Sequence, residues 1–350
     1  MPRWMNKILD RIGSPELDWI QVEVTSRCNA ACIYCPQPFI GPKQHMPFGL
    51  FKNLLPYLGY TDLVYLQGWG EPLLNPDIFS MIRACKAKGK RVGFTTNGML
   101  LTKETIFKLV DLETDIISVS LAGTTPATHD RIRKGTDLVK IIENVGYIQQ
   151  IKAQKKARHP EVHFSYIMLA SNLDELQATV GLAKGLGVEQ IVGSHLTWIL
   201  NEGLGPEALF NLEKEHQGFS GILEATVAAA KKENLIFAFN IPALQKQEAQ
   251  CTENVCRSCV VSVNGHVGPC VFTSSTLSQE NGQPLAHLFQ SRLEPCCPLS
   301  FGNIAHESLT HIWEKKAYHQ FRDLHDPGMT MPGNLSLLPQ SCRSCYKQEG

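Results

Sequence analysis

The chain has 350 residues, with 33 Lys plus Arg balanced by 33 Asp plus Glu. A formal charge of zero removes the electrostatic case for nucleic acid, and no run of about 18 apolar residues predicts a membrane span. The start, MPRWMNKILDRIGSPELDW, lacks the long apolar core of a secretory leader, so a reducing cytoplasmic setting is expected, in which twelve cysteines point to metal rather than disulfides.

In chain order, short apolar runs alternate with helical patterns, which predicts repeated strand-helix units and a parallel sheet. Strands are expected near 19–25, 63–67, 91–95, 116–121, 162–169 and 190–195, and helices over 50–58, 78–88, 103–112, 136–153 and 173–186. Asn172 is expected to cap the last helix, with Asp174 and Glu175 in its first turn. Six such units in about 180 residues favour an α/β fold built as a partial (β/α)6 TIM-like barrel. The barrel is expected over 19–240, after a lead-in of 1–18.

A further helical segment over 222–232 and the apolar run LIFAF lead to a boundary near Ile241 and Pro242. Beyond it, 241–350 read as a smaller cysteine-rich, metal-bearing domain. There VVSVNGHVGPC predicts a hairpin, with Asn264 and Gly265 both able to take positive φ in a two-residue turn. SLTHIWEKKAYHQFRDL predicts one helix before the closing SCRSC.

The cysteines fall in two groups. Cys28, Cys32 and Cys35 lie just past the first strand, and eight lie from Cys251 to Cys345, with Cys85 between as an expected buried thiol in a helix. Three close thiolates on one loop can hold three irons of a four-iron cluster and leave the fourth iron for a small molecule. A zinc site completed by a distant histidine is the alternative that spacing leaves open.

The CNAACIYC loop resembles the CxxxCxxC signature of the radical S-adenosylmethionine (radical SAM) enzymes, and Tyr34 matches the aromatic position before the last cysteine. The resemblance implies a [4Fe-4S] cluster on Cys28, Cys32 and Cys35. Its open iron would be chelated by S-adenosylmethionine, which one electron cleaves to a 5'-deoxyadenosyl radical. QGWGEP is similar to the family's GGEP segment after the second strand. Gly68, Gly70, Glu71 and Pro72 are thereby implied at the cosubstrate's amino group, with Trp69 departing from the pattern. Thr96 and Asn97 belong to a TNG-like turn after the third strand. SLAG at Ser120 resembles SxDG with Ala122 in place of aspartate, and His129, Asp130 and Arg133 fit HDxxR. Ser120 and Arg133 are implied at the cosubstrate carboxylate, which suits a planar guanidinium fork.

The C-terminal cysteines resemble the SPASM extension, or its shortened twitch form, which implies at least one auxiliary [4Fe-4S] cluster. Cys251, Gly265 and Cys270 fit its spacing better than a start at Cys256 or Cys259, and Cys342 with Cys345 match its CxxC. The short tail favours one cluster on Cys270, Cys342, Cys345 and one of Cys251, Cys256 or Cys259. Two clusters recruiting Cys296 or Cys297, and a zinc ribbon from CRSC and SCRSC, remain open.

The family resemblance implies hydrogen-atom abstraction from a substrate carbon, supplied with electrons by a low-potential donor such as flavodoxin or ferredoxin. An oxidative modification of a peptide or protein competes with dehydrogenation, decarboxylation or epimerisation of a small molecule such as a sugar or antibiotic precursor. Only about twenty residues precede the first strand, so a separate peptide-recognition domain is expected to be absent. An iron-sulfur carrier is the non-enzyme alternative, against which the cosubstrate motifs argue. His195 is a candidate acid or base, with a structural histidine the competing reading, and no proton-transfer residue is singled out.

Overall fold

The computed structural model describes residues 17–212, 218–239, 251–326 and 334–347. Seven parallel strands run in sequence order: β1 Leu17–Val22, β2 Thr61–Leu66, β3 Arg91–Thr96, β4 Ile116–Leu121, β5 Glu161–Met168, β6 Gln190–His195 and β7 Ile236–Phe239. Alternation decides their faces. Ile20, Val22, Val64, Leu66, Val92, Phe94, Ile117, Val119, Val162, Phe164 and Ile191 are buried in one apolar core. Helices Ile78–Lys86, Lys103–Asp111 and Leu138–Lys155 pack their own apolar stripes into that core. The opposite set, including Gln21, Tyr65, Thr95, Ser118, Ser120 and Ser165, gives the concave face a polar surface. There the Tyr65 and Thr95 hydroxyls lie 3.1 Å apart, and Thr95 donates to Oε1 of Gln67 at 2.9 Å.

The cysteine-rich region continues this sheet. β8 Ser258–Val261 pairs in parallel with the free edge of β1, and β9 His266–Gly268 returns antiparallel beside β8. β10 Ala286–Phe289 and β11 Arg292–Pro295 form a separate hairpin, while β12 Gly302–Asn303 caps β9. The barrel therefore begins against the auxiliary region, and the ten-stranded sheet spans both.

Several expected elements differ. The 50–58 helix is a single α turn, Phe48–Phe51, followed by a 3-10 segment, Lys52–Tyr60, whose Pro56 has no N–H for an α ladder. The 173–186 helix starts later, as Ala178–Gly185 behind a 3-10 turn. Asn172 does not cap it: its buried amide donates to the carbonyls of Ala122 and Ile167 and accepts the Leu169 N–H at 2.8 Å. The 308–324 helix breaks into Leu309–Trp313 and Lys316–Asp323, because Lys315 is extended and its Nζ binds Phe301 O and Glu307. The β8–β9 hairpin closes through Ser262 to Gly265 rather than two residues, and only Gly265 takes positive φ, at 88°. LIFAF supplies β7, an extra strand of the barrel, and the expected boundary at Ile241 and Pro242 lies outside the described residues.

Candidate active site

The cysteine loop leaves β1 at the mouth of the barrel and is pinned at both ends. Gln37 Nε2 donates to Ser26 O at 2.8 Å, and Thr25 pairs with His45. Ala31 N–H donates to Lys134 O at 2.7 Å and Ile33 N–H to Ile132 O at 3.0 Å, so the loop lies against the segment after the helix Pro126–Ile132. Cys28, Cys32 and Cys35 are all half-buried. Burial, then the neighbouring thiols, pushes Cys35 up to about 12, and burial raises Cys28 as well. A cation among them reverses that logic, since it stabilises the thiolates that dry protein disfavours.

Arg133 faces this loop. Its Nη1 donates to the Tyr34 hydroxyl, while its Nε is buried without a partner among the described residues and the residue is only 7% exposed. Burial opposes its charge, yet Cys32 and Tyr34 together raise its pKa above the ordinary value. An enclosed guanidinium with a spare donor beside three thiols suits a carboxylate ligand. Three thiols and one orphaned arginine nitrogen thus fit a cluster with S-adenosylmethionine on its open iron.

The neighbouring loops are built as a cradle. A methyl at Gly70 would overlap the carbonyl oxygens of Thr25 and Arg27, and Glu71 N–H donates to Arg27 O at 2.8 Å. Glu71 is 2% exposed, and its carboxylate is already committed. It accepts from Thr96 Oγ1 at 2.8 Å, Asn97 N at 2.7 Å and Leu73 N at 3.2 Å. Asn97 Nδ2 donates to Asn29 Oδ1 at 2.7 Å, which ties the turn after β3 to the cysteine loop. Gly70, Glu71 and Asn97 therefore meet the cysteine loop directly and Thr96 is tied to it through Glu71, whereas Gly68 lies against Glu23.

Ser120 is half-buried on the concave face of β4. At the position of the usual aspartate, Ala122 is fully buried, and its N–H donates to His129 Nδ1 at 3.3 Å. His129 and Asn172 thus hold Ala122 from both sides, and the Glu175 carboxylate accepts from Thr124 and Thr125 just beyond it. Asp130 Oδ1 accepts Leu138 N–H at 3.0 Å, starting the next helix, so it serves the scaffold.

A second pocket is lined by Cys251, Cys270, Cys342 and Cys345, together with Phe272 and Lys347. Burial, then the other thiols, pushes Cys342 well above the usual thiol range, and burial drives Cys270 up to about 12. Cys256 lies outside this pocket, with Sγ 3.6 Å from Arg322 O, and Cys259 is fully buried in β8. Cys296 is buried with Sγ 2.8 Å from Phe272 O, and Cys297 is exposed. Cys85 is fully buried in its helix. Among the described residues no three Cys, His, Asp or Glu groups converge as ligands of one metal ion would.

The SHLTW segment closes the gap between the two sites. Trp198 packs against Trp69 at 6.1 Å and Phe272 at 6.0 Å, so the residue departing from the GGEP pattern joins an aromatic wall reaching the cysteine pocket. His195 is 6% exposed, and neither ring nitrogen has a partner among the described residues; burial, then the Lys347 charge, lowers it to about 4. Sequence reasoning missed Glu23 and the reason for Trp69. The available signal for Glu23 was a carboxylate in an otherwise apolar strand end, between Val22 and Val24.

Residues 22–183 match the family model of the Radical SAM superfamily, and residues 251–346 match that of SPASM, an iron-sulfur cluster-binding domain. The chain is 25% identical over 341 residues to the tungsten-containing aldehyde ferredoxin oxidoreductase cofactor-modifying protein of Pyrococcus furiosus, covering 94% of this chain and 87% of that one. It is 27% identical over 329 residues to the AdoMet-dependent heme synthase of Methanosarcina barkeri, covering 87% and 84%. Its fold is similar to that of Streptococcus suis SuiB bound to S-adenosylmethionine, with a TM-score of 0.68 at 14% identity, covering 99% of this chain and 75% of that one. No helix among the described residues is long and apolar enough to cross a membrane.

Proposed function

The chain belongs to the radical SAM superfamily and carries its SPASM iron-sulfur domain, and from that premise we propose that it abstracts a hydrogen atom from a substrate carbon during an oxidative modification. It is an enzyme whose cofactors are iron-sulfur clusters and S-adenosylmethionine. Those cofactors supply a 5'-deoxyadenosyl radical when bound and reduced, and the remaining work falls to this chain's residues.

Cys28, Cys32 and Cys35 would hold three irons of the cluster. Arg133, through its Nε, and Ser120 would take the cosubstrate carboxylate, and the Gly68 to Pro72 main chain would receive its amino group. Glu71 fixes Thr96 and Asn97, so these contacts are set before the ligand arrives. The polar wall of Tyr65, Thr95 and Gln67 orients the substrate. Cys251, Cys270, Cys342 and Cys345 would hold the auxiliary cluster, and a low-potential flavodoxin or ferredoxin would supply the electron. The observation that carries the reading is the buried Arg133 Nε, unpartnered among the described residues, beside the three thiols of the cysteine loop.

The substrate is a peptide or protein, or a small metabolite. The small-molecule reading draws support from the two relatives aligned over most of their length, which are named for cofactor modification and heme synthesis. Candidate substrates of both classes, labelled with deuterium, are incubated with the reduced holoprotein and S-adenosylmethionine. Deuterium appearing in 5'-deoxyadenosine identifies the substrate, whereas formation of 5'-deoxyadenosine without transfer from any member of a class counts against that class.

A further inference from the structure

Glu23 lies just past β1 and is 1% exposed. Its Oε1 accepts the Trp69 main-chain N–H at 3.1 Å, and its Oε2 accepts the Val263 N–H at 3.2 Å and the Thr276 hydroxyl at 3.0 Å. Three separate segments therefore meet on one carboxylate. Trp69 sits between Gly68 and Gly70 of the loop assigned to the cosubstrate, while Val263 and Thr276 belong to the auxiliary domain. A methyl at Gly68 would overlap the Glu23 side chain, so the loop also presses directly on it.

All three partners are donors, so the group is read as a carboxylate, and burial pushes its pKa up. A dry carboxylate depends on every donor it has, since a lost one is not replaced by water. Displacing the auxiliary side thus weakens the hold on Trp69, and the reverse applies. Trp69 has a second tie to the same domain: its Nε1 donates to Val271 O at 3.3 Å, and its ring meets Phe272 at 5.8 Å. Phe272 in turn lines the four-cysteine pocket.

We propose that Glu23 and Trp69 form a clamp through which the auxiliary iron-sulfur domain sets the geometry of the cosubstrate-binding loop, coupling the two sites. The inference rests on the reading of that loop given above. Glu23 is a positioning residue, since it acts through Trp69, and coupling of this kind is reciprocal. An intact auxiliary site strengthens S-adenosylmethionine binding, and the bound cosubstrate steadies the auxiliary site.

Thr276→Val removes one auxiliary-side donor without touching a cysteine or the loop, and Thr276→Ser keeps the hydroxyl. The dissociation constant of S-adenosylmethionine for each reconstituted holoprotein is measured by anaerobic equilibrium dialysis, with iron content as the control. Thr276→Val is expected to weaken binding about fivefold or more at unchanged iron, and Thr276→Ser to return it to within about twofold of wild type. Cys251→Ser weakens binding in the wild-type background but adds little to Thr276→Val, as shared coupling requires. Unchanged affinity in Thr276→Val at full iron content, or fully additive losses in the double variant, overturns the proposal. Wild-type holoprotein that binds no S-adenosylmethionine overturns the underlying reading as well.

Discussion

The main-chain N–H of Asn97 donates to Oε2 of Glu71 at 2.7 Å, so the carboxylate of the GEP segment is the brace of the turn after β3. Glu71→Gln places an amide NH2 against N–H and O–H donors that need an acceptor. The variant is expected to lose about 1–3 kcal/mol of stability in urea unfolding and to bind S-adenosylmethionine more weakly.

Arg133→Lys tests the fork. Lysine keeps the positive charge beside the cysteine loop but cannot offer two parallel donors. Equilibrium dialysis should show S-adenosylmethionine affinity falling about tenfold or more, while iron content holds. Equal affinity would remove Arg133 from the carboxylate site.

Iron analysis distinguishes the auxiliary ligands. With one auxiliary cluster, wild type should carry about eight irons per chain. Cys251→Ser should lower the auxiliary signal and about half of that iron, because Cys251 lines the pocket with Cys270, Cys342 and Cys345. Cys256→Ser should leave it intact, since that thiol lies outside the pocket beside Arg322 O.

The barrel was largely legible because its outer face is a hydrophobic period-2 pattern. β4 and β6 start and end where the apolar runs do. The C-terminal docking was not. β8 pairs with β1 across more than two hundred residues of chain, and nothing in SCVV names its partner. Glu23 was invisible for the same reason: two of its three donors, Val263 and Thr276, come from that distant region. Among the cysteines, spacing picked out the loop triad and favoured Cys251 over Cys256 and Cys259, and the fold puts Cys251, but neither of the other two, in the lining of the C-terminal pocket. Asn172 misled because a helix cap and a loop-closing amide use the same residue type.

His195 gives a pH dependence with a definite sign. Burial, then Lys347, holds its pKa near about 4, below the ordinary 6.5. Between these values the unfolded chain binds the proton more readily, so stability is present above about 6.5 and is lost as pH falls toward about 4. The loss is at most about 1.4 kcal/mol per pH unit. His195→Leu should flatten this slope in urea unfolding compared at about pH 5 and about pH 7. An unchanged slope would mean that His195 is charged or solvated in the fold.

Cleavage of S-adenosylmethionine by the reduced holoprotein tests the central claim most directly. Anaerobically reconstituted protein given dithionite and S-adenosylmethionine is expected to form 5'-deoxyadenosine and methionine. Cys32→Ala should abolish that product while the auxiliary cluster's signal persists. Absence of 5'-deoxyadenosine from wild-type protein with both clusters intact, or undiminished formation by Cys32→Ala, would contradict the account.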